Sequence, residues 1–195
     1  MAIAPKDVLS VLAAGGKSSR FGRDKASYVW EGQTLLERAL QTASEISAET
    51  AVGLPPEHSD EPEGWHVLRK TGGVIVDNPA GIGPLGSLHA ALQSAGSRWL
   101  LFLAVDLPLL EPAHLQLLLE AANEDVSAVV ATRQDMIQPT CALYNTTLVP
   151  NVEWAIQGGL YALRSVFEGV AYTRVPLPDR ALTNVNRLED LPHSE

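Results

Sequence analysis

The sequence predicts an α/β fold of three layers, with helices on both faces of a mostly parallel sheet. Three observations predict it. Strand-like and helix-like patterns alternate along the 195 residues from start to finish, as parallel strands joined by crossover helices require. The run Trp99 to Val105 is apolar without alternation, the mark of a central strand buried on both faces. Several expected strands end in Gly-rich or acidic loops, the edge at which open α/β sheets bind ligands. The length suits one domain spanning 1–195.

In chain order, Val8-Leu9-Ser10-Val11-Leu12-Ala13 reads as a short buried strand. It stops at Gly15-Gly16, and Lys17, Arg20, Arg23 and Lys25 follow. Glycines let backbone N–H groups approach an anion, and the cations neutralise what the dipoles cannot. Neither of two common phosphate loops fits. The P-loop needs Gly where Val11 stands, and the dinucleotide fingerprint needs Gly where Lys17 stands. Glu31-Gly32 reads as a turn. Thr34 can N-cap a helix with Glu37 as its capping-box partner, and Leu35, Leu36, Ala39, Leu40, Ala43 and Ile46 carry that helix to about Ser47.

Glu49 to Leu54 is the second strand, and the Pro-rich acidic stretch Pro55 to Gly64 reads as a solvated loop. Val74-Ile75-Val76 is the third strand, ending at Asp77 before the Gly/Pro stretch Asn78 to Gly86. Asp77 reads either as a turn residue or as part of a ligand pocket. A helix over Leu85 to Gln93 contains His89, which reads as a packed or exposed residue rather than a catalyst. The strand Trp99 to Val105 ends at Asp106, and Pro108 keeps a helix from starting there. The sequence shows no obvious partner for Asp106. Buried carboxylates are paired or hold metal, and Mg²⁺ takes one or two carboxylates plus phosphate oxygens, so Asp106 reads as a metal ligand.

Pro112 to Asn123 reads as a helix, Ser127 to Thr132 as a strand, Arg133 to Met136 as a turn and Ile137 to Tyr144 as an extended segment with Cys141 in the core. Val149 to Gln157 and Tyr161 to Phe167 read as helices split by Gly158-Gly159, followed by a strand over Ala171 to Val175. Asn184-Val185-Asn186 precedes a short final helix, Arg187 to Leu191. Asn186 suits two roles, an N-cap or an amide that orients phosphate or metal-bound water.

Composition narrows the function. Hydrophobic residues make up 46% and charged ones 19%, enough apolar content for a real core. The net charge of −9 argues against a nucleic-acid polymer as partner. It makes the basic cluster more telling, because four of the 14 Lys and Arg fall between Lys17 and Lys25. The single cysteine permits no intrachain disulfide and no Cys-rich metal site. With no signal-peptide layout and no apolar run long enough for a bilayer, the expectation is a cytoplasmic protein without a membrane partner.

The stretch A-G-G-x-S-x-R-F-G-x-D-K at Ala14 to Lys25 resembles the signature loop of nucleotidyltransferases with a Rossmann-like fold, and most closely the molybdenum cofactor guanylyltransferase (MobA-like) family. The likeness continues at Asp77 with Gly83-Pro84-Leu85, at Asp106-Leu107-Pro108, at Pro139 with Ala142-Leu143-Tyr144, and at Asn184 to Leu191. It therefore touches nearly the whole chain. The resemblance implies a three-layer Rossmann-like nucleotidyltransferase fold and Mg²⁺-dependent transfer of GMP from GTP to molybdopterin cofactor, with release of pyrophosphate. It implies Lys25, Asp106 and Arg20 as catalytic residues, with Asp106 on the metal. It implies Leu12, Ala13, Ala14, Gly15, Gly16, Lys25, Asp77 and Asp106 around the nucleotide, and Gln138, Pro139, Asn184 and Asn186 on the acceptor side. Molybdenum cofactor biosynthesis proteins or acceptor molybdoenzymes are the implied partners. The chain departs from the family pattern at Gly53, where some relatives have Asn, at Gln138, where many have His, and at Leu160, where Arg often follows the Gly. A cytidylyltransferase for the same cofactor, a sugar-phosphate nucleotidyltransferase and a non-catalytic nucleotide-binding partner protein are the alternatives.

Overall fold

The computed structural model describes residues 3–15, 25–56, 73–96, 99–186 and 188–190. The strands are β1 (Val8–Ala13), β2 (Val29–Trp30), β3 (Gln33–Thr34), β4 (Glu49–Leu54), β5 (Val74–Val76), β6 (Trp99–Ala104), β7 (Ala128–Arg133), β8 (Met136–Asn145) and β9 (Tyr172–Pro176). The helices are α1 (Leu35–Ser44), α2 (Pro84–Ser94), α3 (Pro112–Ala121) and α4 (Val149–Gln157). Seven strands form one sheet in the order β5-β4-β1-β6-β8-β7-β9. All its pairs are parallel except those of β8, which runs antiparallel to both β6 and β7. The mostly parallel, three-layer expectation is met.

Each central strand feeds two cores. On β1, Leu12 packs with Leu36, Leu40, Leu115 and Leu118 beneath α1 and α3. Leu9 and Val11 pack with Leu85, Leu88 and Val152 beneath α2 and α4. With both faces covered, the strand has no polar face to show, so the apolar run does not alternate. The order leaves β1 towards β4 and β5 on one side and towards β6 on the other. The carboxyl ends of β1 and β6 thus flank a switch point, where such sheets bind ligands.

Local chemistry sets most element bounds. The Thr34–Glu37 capping box forms as expected, with Glu37 N–H donating to Thr34 Oγ1 and Thr34 N–H donating to Glu37 Oε2. The Glu31-Gly32 turn joins β2 to β3 with both residues at positive φ. The turn between β7 and β8 is Gln134-Asp135 alone, both at positive φ, so Arg133 and Met136 belong to the strands.

Several expected elements are shorter. The first helix stops at Ser44 rather than Ser47, because the N–H groups of Ile46 and Ser47 both turn to Ala43 O. The third ends at Ala121 rather than Asn123, and β6 ends at Ala104 rather than Val105. The segment expected as a helix over Tyr161 to Phe167 is a 3₁₀ helix at Leu163–Phe167, and the final one a single 3₁₀ turn at Leu188–Asp190. Spacing alone does not separate these forms, since both bring i and i+3 together. Most of the acidic loop expected after Pro55 lies outside the described residues, as do Arg187 and Leu191. Among the described residues, no helix is long and apolar enough to cross a membrane.

Candidate active site

Three segments far apart in the chain meet at one cation. Lys25 Nζ lies 3.2 Å from Asp106 Oδ2 and donates to Asn186 Oδ1 at 3.1 Å. The sequence offers Asp106 no obvious partner; the structure supplies Lys25. Each member is held by its own backbone. Leu36 N–H donates to Ala26 O and Leu35 N–H to Tyr28 O, so the first turn of α1 pins the segment carrying Lys25. Ala26 is fully buried beside it. Val185 N–H donates to Asp106 O at 2.9 Å, fastening the segment next to Asn186 beside the end of β6. Val185 is itself buried.

Asn186 makes contacts on both sides. Its side-chain oxygen faces Lys25, while its main-chain N–H donates to Asp190 Oδ2 at 2.8 Å. The ion pair is mostly but not wholly covered, with the Lys25 and Asp106 side chains 16% and 21% exposed. Such a pair is well placed to exchange partners when a charged ligand arrives.

The end of β1 offers main chain rather than side chain. Leu12 is fully buried in the core and Ala13 half-buried. Ala14 N–H is taken by Gly53 O at 3.2 Å. A Cβ on Gly15 would stand 2.5 Å from Pro55 Cδ, so only glycine lets these segments lie so close. Gly53 is equally constrained, since a Cβ there would collide with Ser87 Oγ, a buried hydroxyl on α2. Asp77 follows β5 with its N–H on Leu54 O at 2.8 Å. The segment after it lies directly on the first turn of α2. Asn78 N–H donates to Gly86 O, and a Cβ on Gly86 would collide with Pro79 O. Gly16 and Arg20 fall outside the described residues, as do Lys17 and Arg23.

The expected acceptor-side residues lie on the other side of β6. In the antiparallel pair, Leu103 faces Cys141, so β8 carries Pro139 and Gln138 to the level at which Asp106 leaves β6. Both residues are half-buried. The β7–β8 register slips between Val130 and Ala131, from Val130↔Ala142 to Ala131↔Gln138. Pro139 sits in that slip, where its missing N–H leaves no ladder bond unmade. Tyr144 O–H donates to Pro139 O at 2.7 Å and holds it there. Burial pushes the Tyr144 phenol up and the Cys141 thiol from 9.0 up to about 12, so both stay protonated at neutral pH. Asn184 is exposed, two residues before Asn186.

The arrangement can hold a cation between two oxygens and present an ammonium to anions. Among the described residues, no three His, Cys, Asp or Glu side chains cluster as a metal cage. A single carboxylate with ligand oxygens is the Mg²⁺ pattern instead.

Residues 10–175 match the model of the MobA-like NTP transferase domain. The chain is 34% identical over 185 residues to a protein of Deinococcus radiodurans named "Probable molybdenum cofactor guanylyltransferase", covering 93% of this chain and 91% of that one. A protein of Mycolicibacterium paratuberculosis with the same name is 31% identical over 191 residues, covering 93% and 91%. The structure is also similar to that of molybdopterin-guanine dinucleotide biosynthesis protein A from Archaeoglobus fulgidus. That match has a TM-score of 0.74 at 22% identity, covering 93% of this chain and 94% of that one.

Proposed function

This chain belongs to the MobA-like NTP transferase family and is a nucleotidyltransferase; from that premise we propose that it transfers GMP from GTP to molybdopterin cofactor. The products are molybdopterin guanine dinucleotide and pyrophosphate. The observation that carries the reading is the convergence of Lys25, Asp106 and Asn186 on one charged centre at the carboxyl edge of the sheet.

The acceptor's phosphate attacks the α-phosphorus of the donor, and pyrophosphate leaves. The attacking group is already an anion, so the site needs alignment and charge neutralisation rather than a strong base. Lys25 shifts from Asp106 to the triphosphate oxygens. The main chain of Leu12 to Gly16 and the Asp77 segment hold the nucleotide, and Arg20 adds a two-pronged phosphate contact. The Asp106 carboxylate and the Asn186 amide oxygen already share one cation, and both are hard oxygen donors that fit Mg²⁺. When bound, the metal supplies neutralisation of phosphate charge. Gln138, Pro139 and Asn184 receive the acceptor. Molybdenum cofactor biosynthesis proteins or acceptor molybdoenzymes are the partners this product would need, and the cytoplasm is the compartment.

A cytidylyl donor is the second reading, because position 53 carries glycine and so no side-chain amide that could read the base. Calorimetry with Mg²⁺ and each of GTP, CTP, UTP and ATP separates the two. Selective GTP binding supports guanylyl transfer. Preference for CTP keeps the site and changes the donor, and binding of none of the four contradicts both readings.

A further inference from the structure

His89 lies on the buried face of α2, and both of its ring nitrogens face acceptors. Nδ1 is 2.6 Å from Asn78 O. A carbonyl oxygen only accepts, so Nδ1 carries a proton. On the other side, Nε2 is 3.6 Å from Glu153 Oε1 on α4. The imidazole side chain is 10% exposed, so water does little to satisfy it. A neutral ring has one N–H for these two acceptors. If Nδ1–H stays on Asn78 O, the Nε2 lone pair points at a carboxylate; if the proton moves to Nε2, the Asn78 bond is lost. In the structure Nδ1 makes its bond, and Nε2, buried and without a hydrogen bond, faces Glu153 at 3.6 Å.

Asn78 follows Asp77 and opens the segment that packs on the first turn of α2. The ring thus ties that segment to α2 by a side-chain hydrogen bond, and its other nitrogen faces Glu153 on α4.

We propose that His89 is a positioning residue for the nucleotide: with Nδ1–H on Asn78 O and Nε2 facing Glu153, it holds residues 77–83 in the shape that receives the donor. The inference rests on the nucleotide-binding reading of that segment. The charged groups around the ring are few. Glu153 is the only ionisable residue on α4, and α2 carries none besides His89. The strands β1, β5 and β6 carry none, nor does the 3₁₀ turn Thr146–Leu148. Glu49 stands exposed at the first residue of β4, and Asp77 is the acid beside Asn78. Glu153 is therefore the acid that faces the ring from α4.

The test compares wild type, His89→Asn, His89→Leu and Glu153→Gln. The Asn side chain places an N–H donor where Nδ1 stands; Leu places none. Two readouts are taken: the Kd for GTP with Mg²⁺ by calorimetry, and hydrogen exchange of the 77–83 amides without nucleotide. His89→Leu should weaken GTP binding about tenfold and speed exchange, while His89→Asn stays within about threefold of wild type. Equal GTP affinity in all four proteins overturns the proposal. So does a loss in His89→Leu that His89→Asn fails to rescue while both melt lower, since that is packing alone. If wild type binds no nucleoside triphosphate, the functional reading falls separately. The exchange data then still decide the clamp: equal 77–83 exchange in His89→Leu and His89→Asn overturns it.

Discussion

The two flanks of the sheet present their candidate site residues by different means. On the β5-β4-β1 flank the surface is main chain. Gly15 lies against Pro55, Gly53 against Ser87, and the Asp77 segment against Gly86. On the β8-β7-β9 flank the chain direction reverses, and side chains do the holding, with Tyr144 reaching back to Pro139 across a slip in register. The Lys25–Asp106–Asn186 centre stands between them at the end of β6. The comparison sets two ways of building a surface beside one charged centre. A shape made of close backbone approaches tolerates almost no added atoms, whereas a shape made of side-chain contacts changes by single substitutions.

Asp106→Ala breaks the centre that both flanks serve. It should lower kcat for pyrophosphate release about a thousandfold. Circular dichroism and melting should stay near wild type, because the side chain is partly exposed. Lys25→Ala comes next, with kcat/KM for the nucleotide down about a hundredfold in the same assay. Gly15→Ala probes the backbone-built flank. The new methyl meets Pro55, so thermal or urea unfolding should show a loss of about 1–3 kcal/mol, together with weaker nucleotide binding.

The opposite flank responds to pH and to a single hydroxyl. Burial raises the Cys141 thiol from 9.0 to about 12 and raises the Tyr144 phenol as well. In the unfolded chain the thiol ionises first. Stability from this pair is therefore complete below pH 9.0 and is lost as pH climbs towards about 12. Urea titrations at stepped alkaline pH measure the slope. Tyr144→Phe removes the bond to Pro139 and should cost about 1 kcal/mol. It should raise KM for the acceptor while leaving the nucleotide Kd unchanged; an equal effect on both would erase the distinction between the flanks.

What was legible in the sequence follows the same line. The bounds of β1 and α4, the Thr34 capping box and the acid closing β6 are written in neighbouring residues. Lys25, Asp106 and Asn186 could each be picked out by motif, yet their contact could not be. It spans 81 and 161 residues and depends on how β6, α1 and the Val185 segment pack. The turn before β8 was legible at Arg133 to Met136, but not its two-residue width or the antiparallel run behind it, because Gln134-Asp135 carries no glycine to mark a tight hairpin. His89 passed as an ordinary helical residue because its two acceptors come from a loop and a distant helix.

The central claim is that Lys25 and Asp106 act as one unit in transfer. Pyrophosphate release from GTP, with Mg²⁺ and molybdopterin, should be measured in wild type, Lys25→Ala, Asp106→Ala and the double variant. If the pair is a unit, the double variant is slower than Asp106→Ala by no more than about threefold. If the two losses multiply instead, each residue works alone, and the shared centre seen in the structure is not the centre of the reaction.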